Sequence, residues 1–320
     1  MNFLRTRKYN FSNFPEIVTI EPINACNLRC PMCPTGNGTL SLPKKSMSLS
    51  NYKKLIDQCE GKTKLVILYN FGEPFLHKDI LEMVSYTQKK NIDVRLSTNG
   101  HFIKTLSYAK EIINSGLSSL IFSVDGLSQE TYEKYRVGGK LDVVLKAVKL
   151  LVKAKKELKA DNPRIVFQFL LMKHNEHERK NALKLAKKLG VNSYYEKAIS
   201  FSYGDGEFES IANTFIPKNK KINLYKNNNF NGLIMNNCDH IKKTMMINSD
   251  GSVIPCCHDE ESAFILGNVF EQSIKKVWNG KSLRKFRKKV FNNQASISIC
   301  QKCPFSRKVE SQNLIEHFNR

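Results

Sequence analysis

The sequence predicts an α/β protein, a partial (β/α)6 barrel of the TIM type with a small C-terminal domain held by cysteine ligation. Three observations carry this prediction. Between residues 13 and 200, short apolar runs alternate with amphipathic helical stretches in six βα-type units. That is the pattern of a parallel sheet with its helices outside, and six units are too few to close an eight-stranded barrel. From about residue 201 the pattern dissolves into Gly-, Asn- and Lys-rich sequence (KNKKINLYKNNNFNG). Beyond it, five of the nine cysteines stand among hairpin and turn signals with little periodic core, so ligation must supply part of the stability.

Taken in order, residues 17–21 (IVTIE) read as a strand that runs directly into a cysteine loop. A helix over 51–59 follows Ser50 as its N-cap. Residues 64–70 (KLVILYN) form a buried strand, 77–90 a helix and 92–97 a strand. Residues 101–115 form a helix closed by Gly116, and 117–124 the next strand. Helical segments over 129–135 and 141–160 follow, the second stopped before Pro163; then come strand 164–172, helix 176–189 ending at Gly190, and strand 191–197. Residues 244–248 and 252–255 flank Asp250-Gly251, a strong hairpin signal. Gly267-Asn268 is a further turn, a helical stretch runs through Trp278-Asn279, and Cys300 and Cys303 follow a polar loop. The organisation expected is a basic extension over 1–12, the barrel over 13–200, a connector over 201–235, the cysteine domain over 236–305 and a tail over 306–320.

Composition excludes several classes. The chain has 320 residues, 41% apolar and 10% aromatic, too much of both for a disordered protein. No stretch approaches the roughly 18 uninterrupted apolar residues of a membrane helix. The basic N-terminus (MNFLRTRKYNFSNF) has no apolar core and is not a secretory signal, so a cytoplasmic location is expected. Lys and Arg number 51 against 29 Asp and Glu, a net charge of +22. Most lysines are dispersed along the outer faces of the expected helices, with local clusters only at 218–226 and 281–289. A basic, metal-stabilised nucleic-acid-binding protein without catalysis is the alternative from another class; no aromatic-rich RNA-binding stretch is present, and nucleic acid is not the partner expected.

The cysteines carry more. Cys26-x3-Cys30-x2-Cys33 places three thiols within eight residues (ACNLRCPMC) with no fourth nearby. The second group is Cys238, the Cys256–Cys257 pair and Cys300-x2-Cys303. Closely spaced thiols in an intracellular chain read as metal or iron–sulfur ligation rather than disulfides. Three thiolates on one loop can hold three irons of a cubane and leave the fourth open to a small chelating ligand, whereas a structural zinc site is closed by four ligands. Cys59, on the apolar side of a helix, reads as a core residue.

At ACNLRCPMC the chain resembles a radical S-adenosylmethionine (SAM) enzyme, and supporting motifs follow in family order over residues 13–200. Phe71-Gly72-Glu73-Pro74 resembles the segment that holds the methionine amino group of SAM. Ser97-Thr98-Asn99-Gly100 and Ser123-Val124-Asp125-Gly126 resemble the polar strand ends that meet its ribose and carboxylate. Tyr132, Arg136 and Gly138-Gly139 resemble a following segment whose basic residue often pairs with the carboxylate. The resemblance therefore implies Gly72, Glu73, Ser97, Asn99, Ser123, Asp125 and Arg136 as cofactor-binding, and Cys26, Cys30 and Cys33 as ligands of a [4Fe–4S] cluster with an open iron. Phe71 replaces the usual glycine, and Met32 stands where an aromatic residue commonly precedes the third cysteine. The C-terminal group resembles a SPASM/twitch auxiliary-cluster domain. That implies Cys238, Cys256, Cys300 and Cys303 as ligands of a second [4Fe–4S] cluster, with Cys257 an uncertain neighbour and zinc the alternative occupant.

The resemblance implies reductive cleavage of SAM by a one-electron donor such as flavodoxin or ferredoxin. The resulting 5′-deoxyadenosyl radical abstracts hydrogen from a small-molecule or peptide substrate. The short N-terminus and the four-cysteine group resemble the single-auxiliary-cluster dehydrogenases of sugar-like or cyclitol alcohols, with the second cluster accepting an electron. A peptide-modifying maturase is the runner-up. The lysine clusters at 218–226 and 281–289, one before the auxiliary domain and one within it, suggest a phosphorylated substrate or an acidic donor. No residue stands out as the substrate base: Glu196, Tyr195 and His240 lie in suitable regions, and each has an ordinary structural reading.

Overall fold

Six of the apolar runs form six parallel strands. They are β1 (Ile17–Ile20), β2 (Leu65–Ile67), β3 (Asp93–Thr98), β4 (Ser119–Ser123), β5 (Arg164–Leu171) and β6 (Ser193–Ala198), hydrogen-bonded in sequential order. This is a computed structural model, and it describes residues 11–40, 42–200, 208–226, 229–230, 232–301, 303–304 and 314–318. Helices Leu49–Cys59, Ile80–Gln88, Leu106–Asn114, Leu141–Glu157 and Arg179–Leu189 connect the strands. Alternation along each strand sets the two faces. In β3, Val94 and Leu96 are fully buried in the core beneath the helices, while Arg95 and Ser97 are half-buried on the inner face. Likewise β5 sends Ile165, Phe167 and Phe169 into the core. The sheet does not close, as six units require.

Helix starts differ from the sequence expectation where a local cap decides. Ser48, not Ser50, caps the first long helix, accepting from the Asn51 N–H at 3.2 Å. The helix expected from residue 77 begins at Ile80, because Glu73 caps a separate 3-10 turn over Pro74–Leu76 and His77 is bonded to the Met47 carbonyl. The helix expected from 101 begins at Leu106, after Thr105 accepts from the Tyr108 N–H.

The C-terminal half departs further. Between β6 and the hairpin lie a helix (Phe208–Phe215) and the short pair β7 (Tyr225–Lys226) and β8 (Asn229–Phe230). Phe215, Ile222, Leu224 and Tyr225 are buried, so much of the expected connector is packed. The hairpin forms as expected, with β9 (Thr244–Ile247) and β10 (Ser252–Ile254) joined at Gly251 (φ +83°), followed by β11 (Gly267–Asn268). It does not stand apart from the barrel, because β9 pairs in parallel with β1, Ile17 opposite Thr244 and Ile20 opposite Ile247. The expected tail contributes β12 (Leu314–His317), antiparallel to β6; residues 306–313 lie outside the described residues.

The expectation of little periodic core after residue 236 is overturned. The helix Lys281–Asn293 buries Leu283, Phe286, Arg287, Val290 and Phe291, one face at helical spacing, while Lys281, Lys285, Lys288 and Lys289 stay exposed. Trp278 is fully buried and donates its indole N–H to the Ser12 carbonyl at 2.8 Å. The Arg287 guanidinium lies 4.0 Å from the Trp278 ring and 4.6 Å from that of Phe11, and bonds the Ile241 and Trp278 carbonyls. These contacts tie the C-terminal region to residues 11–13, so apolar burial as well as ligation can hold it. Among the described residues no helix is long and apolar enough to cross a membrane.

Candidate functional site

Strand β1 ends where the cysteine loop begins, at the rim formed by the C-terminal ends of the strands. Cys30 is buried and Cys26 and Cys33 half-buried. The loop is fixed by the Cys33 N–H to the Cys30 carbonyl (3.1 Å) and the Arg29 N–H to the Val137 carbonyl (3.0 Å). Gly36 lies so close that a Cβ there would sit 2.6 Å from the Cys30 backbone. The three cysteines line a cavity of about 160 Å³ together with Tyr69, Asn70, Gly72, Glu73, Ser97, Asn99, Ser123, Tyr135 and Arg136. Four strand ends thus bring nearly all the sequence-predicted residues to one cavity; Asp125 stands behind it, fully buried and bonded to Arg136.

Gly72 adopts φ +92°, and a Cβ there would lie 2.3 Å from the Ile23 carbonyl oxygen, so the Phe71–Glu73 turn packs directly on the cysteine loop. The Glu73 N–H reaches the Ala25 carbonyl at 2.8 Å. Its carboxylate is fully enclosed and accepts from the Asn99 N–H (2.8 Å), the Thr98 hydroxyl (2.8 Å) and the Phe75 N–H (3.2 Å). Burial pushes its pKa up to about 7 against these bonds. Asn99 donates its side-chain amide to Asn27 (2.8 Å) and also approaches the Cys26 sulfur (3.8 Å). The Asn70 amide nitrogen, buried at the cavity, has no hydrogen-bond partner among the described residues. An enclosed carboxylate with no cation and an orphaned donor at the same cavity fit a polar, cationic ligand beside the thiols.

Asp125 is the anchor on the far side. Arg136 reaches its Oδ2 with both Nε and a terminal nitrogen at 2.6 Å, and the Leu170 N–H donates to Oδ1 at 2.7 Å. Another Arg136 nitrogen lies 3.7 Å from the Cys30 sulfur. Burial raises the Cys26 thiol to about 11 and raises Cys30, whose shift Arg136 opposes; a metal is what would turn such thiols into ligands. Over the loop sits a second apolar cluster of Leu28, Tyr135, Leu170, Met172, Phe215 and Tyr225, with Met32 packed against it. It limits water near the cysteines. Tyr135 meets Phe215 edge-on at 5.7 Å, so the helix that the sequence left as a connector roofs the loop.

The C-terminal cysteines form a second group. Cys303 lies within electrostatic reach of Cys238, Cys256 and Cys300, and burial chiefly raises the thiols of Cys238, Cys256 and Cys300. Cys257 is exposed as a residue while its thiol is enclosed, which pushes the thiol up to about 11, and its first-ranked charged neighbour is Lys197 of β6. Among the described residues, no three His, Cys, Asp or Glu side chains converge on the point a single metal ion would occupy. A tetrahedral zinc with Zn–S of about 2.3 Å needs such convergence. A [4Fe–4S] cluster takes one thiolate per iron, which Cys238, Cys256, Cys300 and Cys303 can supply.

Of the three base candidates, Glu196 faces the helices and is bonded to Arg179 and Tyr194. Tyr195 lies on the inner face, and burial lowers the His240 pKa to about 4. Sequence reasoning missed Tyr69, Asn70 and Tyr135 at the cavity. It also missed Glu21, a buried carboxylate bonded to the Phe71 N–H (3.2 Å) and the Ser249 hydroxyl (3.4 Å), which joins the cysteine-loop side to the hairpin.

Comparison with known proteins agrees with this geometry. The radical SAM superfamily model matches residues 20–186, just over half the chain, and that of SPASM, an iron–sulfur cluster-binding domain, matches 238–304. The tungsten-containing aldehyde ferredoxin oxidoreductase cofactor-modifying protein of Pyrococcus furiosus is 25% identical over 297 residues, covering 84% of this chain and 82% of its own. Fe-coproporphyrin III synthase of Methanosarcina barkeri is 33% identical over 133 residues, 41% of this chain but only 33% of that protein. Among solved structures, BtrN in complex with AdoMet and 2-DOIA superposes with a TM-score of 0.56 at 19% identity, covering 93% of this chain and 96% of BtrN. Streptococcus suis SuiB bound to precursor peptide SuiA gives 0.66 at 14% identity, covering 95% and 77%. The chain is therefore an enzyme of the radical SAM superfamily with a C-terminal SPASM domain, and its cofactors are SAM and [4Fe–4S] clusters.

Proposed function

We propose that this enzyme oxidises a carbinol carbon of a sugar-like or cyclitol alcohol to a ketone, with substrate held inside the barrel between two iron–sulfur sites. In this reading residues 13–200 hold SAM and its cluster, on Cys26, Cys30 and Cys33, and residues 236–305 hold an auxiliary cluster on Cys238, Cys256, Cys300 and Cys303. When bound, SAM and its cluster would supply a 5′-deoxyadenosyl radical for hydrogen abstraction from the substrate, and the auxiliary cluster would supply a one-electron acceptor.

The chain's own residues have distinct tasks. Glu73, enclosed and without a cation of its own, accepts the SAM amino group, and Gly72 lets its loop approach the cysteines. Ser97, Asn99 and Ser123 present polar groups along the strand ends. Arg136, held by Asp125, offers a fixed cation beside Cys30 for a carboxylate. Leu28, Met32, Tyr135 and Phe215 exclude water.

The observation that supports the oxidation reading is the second cysteine group, in which Cys303 lies within electrostatic reach of Cys238, Cys256 and Cys300 and could hold an electron-accepting cluster besides the one on Cys26, Cys30 and Cys33. Peptide modification is the second reading, supported by the overlay on peptide-bound SuiB. The test is to offer polyols deuterated at the carbinol carbon, and separately deuterated peptides, to the reconstituted enzyme and follow label into 5′-deoxyadenosine. Label from a polyol with ketone formation is expected; label from peptides alone would replace the first reading by the second. Cys300→Ala is expected to keep SAM cleavage within about threefold while ketone formation falls at least ~100-fold, a loss of about 2.7 kcal/mol in the later step. Wild-type ketone yield from that variant would remove the auxiliary cluster from the electron path.

A further inference from the structure

A buried carboxylate sits where the C-terminal hairpin, the first strand and the turn carrying Glu73 meet. Glu21 follows β1 directly, and its N–H reaches the Ile247 carbonyl at 2.9 Å, carrying the contact of β1 with β9 one residue further. Its side chain is fully buried. Oε2 accepts from the Phe71 N–H at 3.2 Å. Oε1 accepts at 3.4 Å from the hydroxyl of Ser249, a buried residue in the turn between β9 and β10. Among the described residues no cation pairs with this carboxylate.

The turn held by Glu21 is the one that brings Glu73 to the cysteine cavity. It is anchored on the segment after β1 from both sides of Gly72: ahead of it by the Phe71 N–H on Glu21, behind it by the Glu73 N–H on the Ala25 carbonyl at 2.8 Å. The second anchor joins backbone to backbone and does not depend on which side chains are present. The first exists only because residue 21 carries an acceptor. An apolar side chain there would fill the same space and take away the partner of the Phe71 N–H. Enclosing a carboxylate without a counter-ion is unfavourable, and burial raises Glu21 to about 7 against its bonds from Phe71 and Ser249. A polar group kept in such a place orders the two loops it joins.

We propose that Glu21 is a positioning residue for SAM: with the Phe71 N–H on one oxygen and the Ser249 hydroxyl on the other, it fixes the turn that presents Glu73 and makes the C-terminal hairpin part of that support. This rests on the placing of the SAM amino group at Glu73 and not on the choice of substrate. Glu21 is not among the residues that line the cavity, and it acts through the turn. A change in the hairpin is then felt in SAM binding when it breaks this bond and not when it breaks another. Asn248, next to Ser249, gives the contrast. Its side-chain amide donates to the Ser252 and Ser262 hydroxyls, both at 3.1 Å and both within the C-terminal domain.

The test is equilibrium dialysis of SAM against the anaerobically reconstituted enzyme, its clusters oxidised so that SAM is not cleaved and iron content matched to the wild type. Melting temperature is measured on the same preparations. Glu21→Ala is expected to raise the SAM dissociation constant at least about tenfold, and Ser249→Ala about threefold. Glu21→Gln keeps a carbonyl acceptor for the Phe71 N–H and is expected to stay within about threefold of the wild type. Glu21→Met fills the space without an acceptor and is expected to bind SAM as weakly as Glu21→Ala. Asn248→Ala is expected to lower the melting temperature and leave SAM affinity unchanged. Should Glu21→Ala not reconstitute, the contrast of Glu21→Gln with Glu21→Met, together with Ser249→Ala, decides. Wild-type affinity in Glu21→Met and Ser249→Ala overturns the proposal. So does Glu21→Met binding as well as Glu21→Gln, or Asn248→Ala weakening SAM as much as Ser249→Ala. Glu73→Gln in the same series separates the two readings. Wild-type affinity there overturns the role of Glu73 and this inference with it, whereas weakened binding beside unaffected Glu21 variants overturns this inference alone.

Discussion

Replacing Cys30 by alanine abolishes 5′-deoxyadenosine formation and lowers iron by about four per chain in the reconstituted enzyme. The size of the effect follows from where this thiol sits. Cys30 is the buried member of the loop, flanked by Arg136 at 3.7 Å and covered by the Tyr135–Phe215 pair. A three-thiolate cubane that loses one ligand has no replacement, because no other cysteine lines this cavity. The C-terminal group is independent, so the variant keeps about four irons and its absorbance. Iron content and anaerobic chromatography of the SAM cleavage products check both halves. Retention of all iron with full cleavage would remove Cys30 from the ligand set. The same change at Cys59, the fully buried last residue of the Leu49–Cys59 helix, is expected to leave iron content unchanged.

Asp125→Ala is the largest expected loss of stability. Its carboxylate is fully buried, holds Arg136 at 2.6 Å through two nitrogens and accepts the Leu170 N–H at 2.7 Å. Removing one partner of such a pair costs about 3–5 kcal/mol, since the remaining charge stays in place without compensation. The Arg136 side chain is 16% exposed, which places the ionic part near the lower end. The orphaned N–H of Leu170 adds about 1–3 kcal/mol. Against a total stability of about 5–15 kcal/mol, melting falls by roughly 10 °C. Asp125→Asn keeps an acceptor for Leu170 and loses only the ionic part, so its melting point lies between the two. Thermal denaturation followed by circular dichroism separates them; a shift under about 2 °C for Asp125→Ala would contradict the anchoring role. Because Arg136 also stands beside Cys30, both variants weaken SAM binding, and a rise in the SAM concentration needed for cleavage accompanies the loss of stability.

The rim was legible because the chain puts chemistry at predictable places. Each βα unit ends its strand at the same face, so motifs read after successive strands, at Glu73, Asn99 and Asp125, had to meet the cysteine loop that follows β1. The remainder was hidden for physical reasons. The helix Lys281–Asn293 was masked by its lysines, although Leu283, Phe286, Val290 and Phe291 recur at helical spacing; Arg287 interrupts the stripe, and its buried position depends on Trp278 and Phe11, far away in sequence. The helix Phe208–Phe215 is held by a tertiary contact, Phe215 on Tyr135, which local pattern cannot register. Arg95 and Lys197 keep perfect strand alternation, and alternation alone reads a polar residue as facing solvent. Here that face is the barrel interior. Likewise β1 could not be seen to pair with β9, because the partners Ile17 and Thr244 stand 227 positions apart and neither strand is an obvious edge.

The central claim is a SAM-cleaving cluster on the N-terminal cysteines and an auxiliary cluster on the C-terminal ones. Its most direct test is anaerobic reconstitution of the wild-type chain, with iron counted and SAM added in the presence of dithionite. The account predicts about eight irons per chain and one 5′-deoxyadenosine per methionine released. Full iron loading without any 5′-deoxyadenosine, or cleavage with the C-terminal cysteines holding no iron, would contradict it.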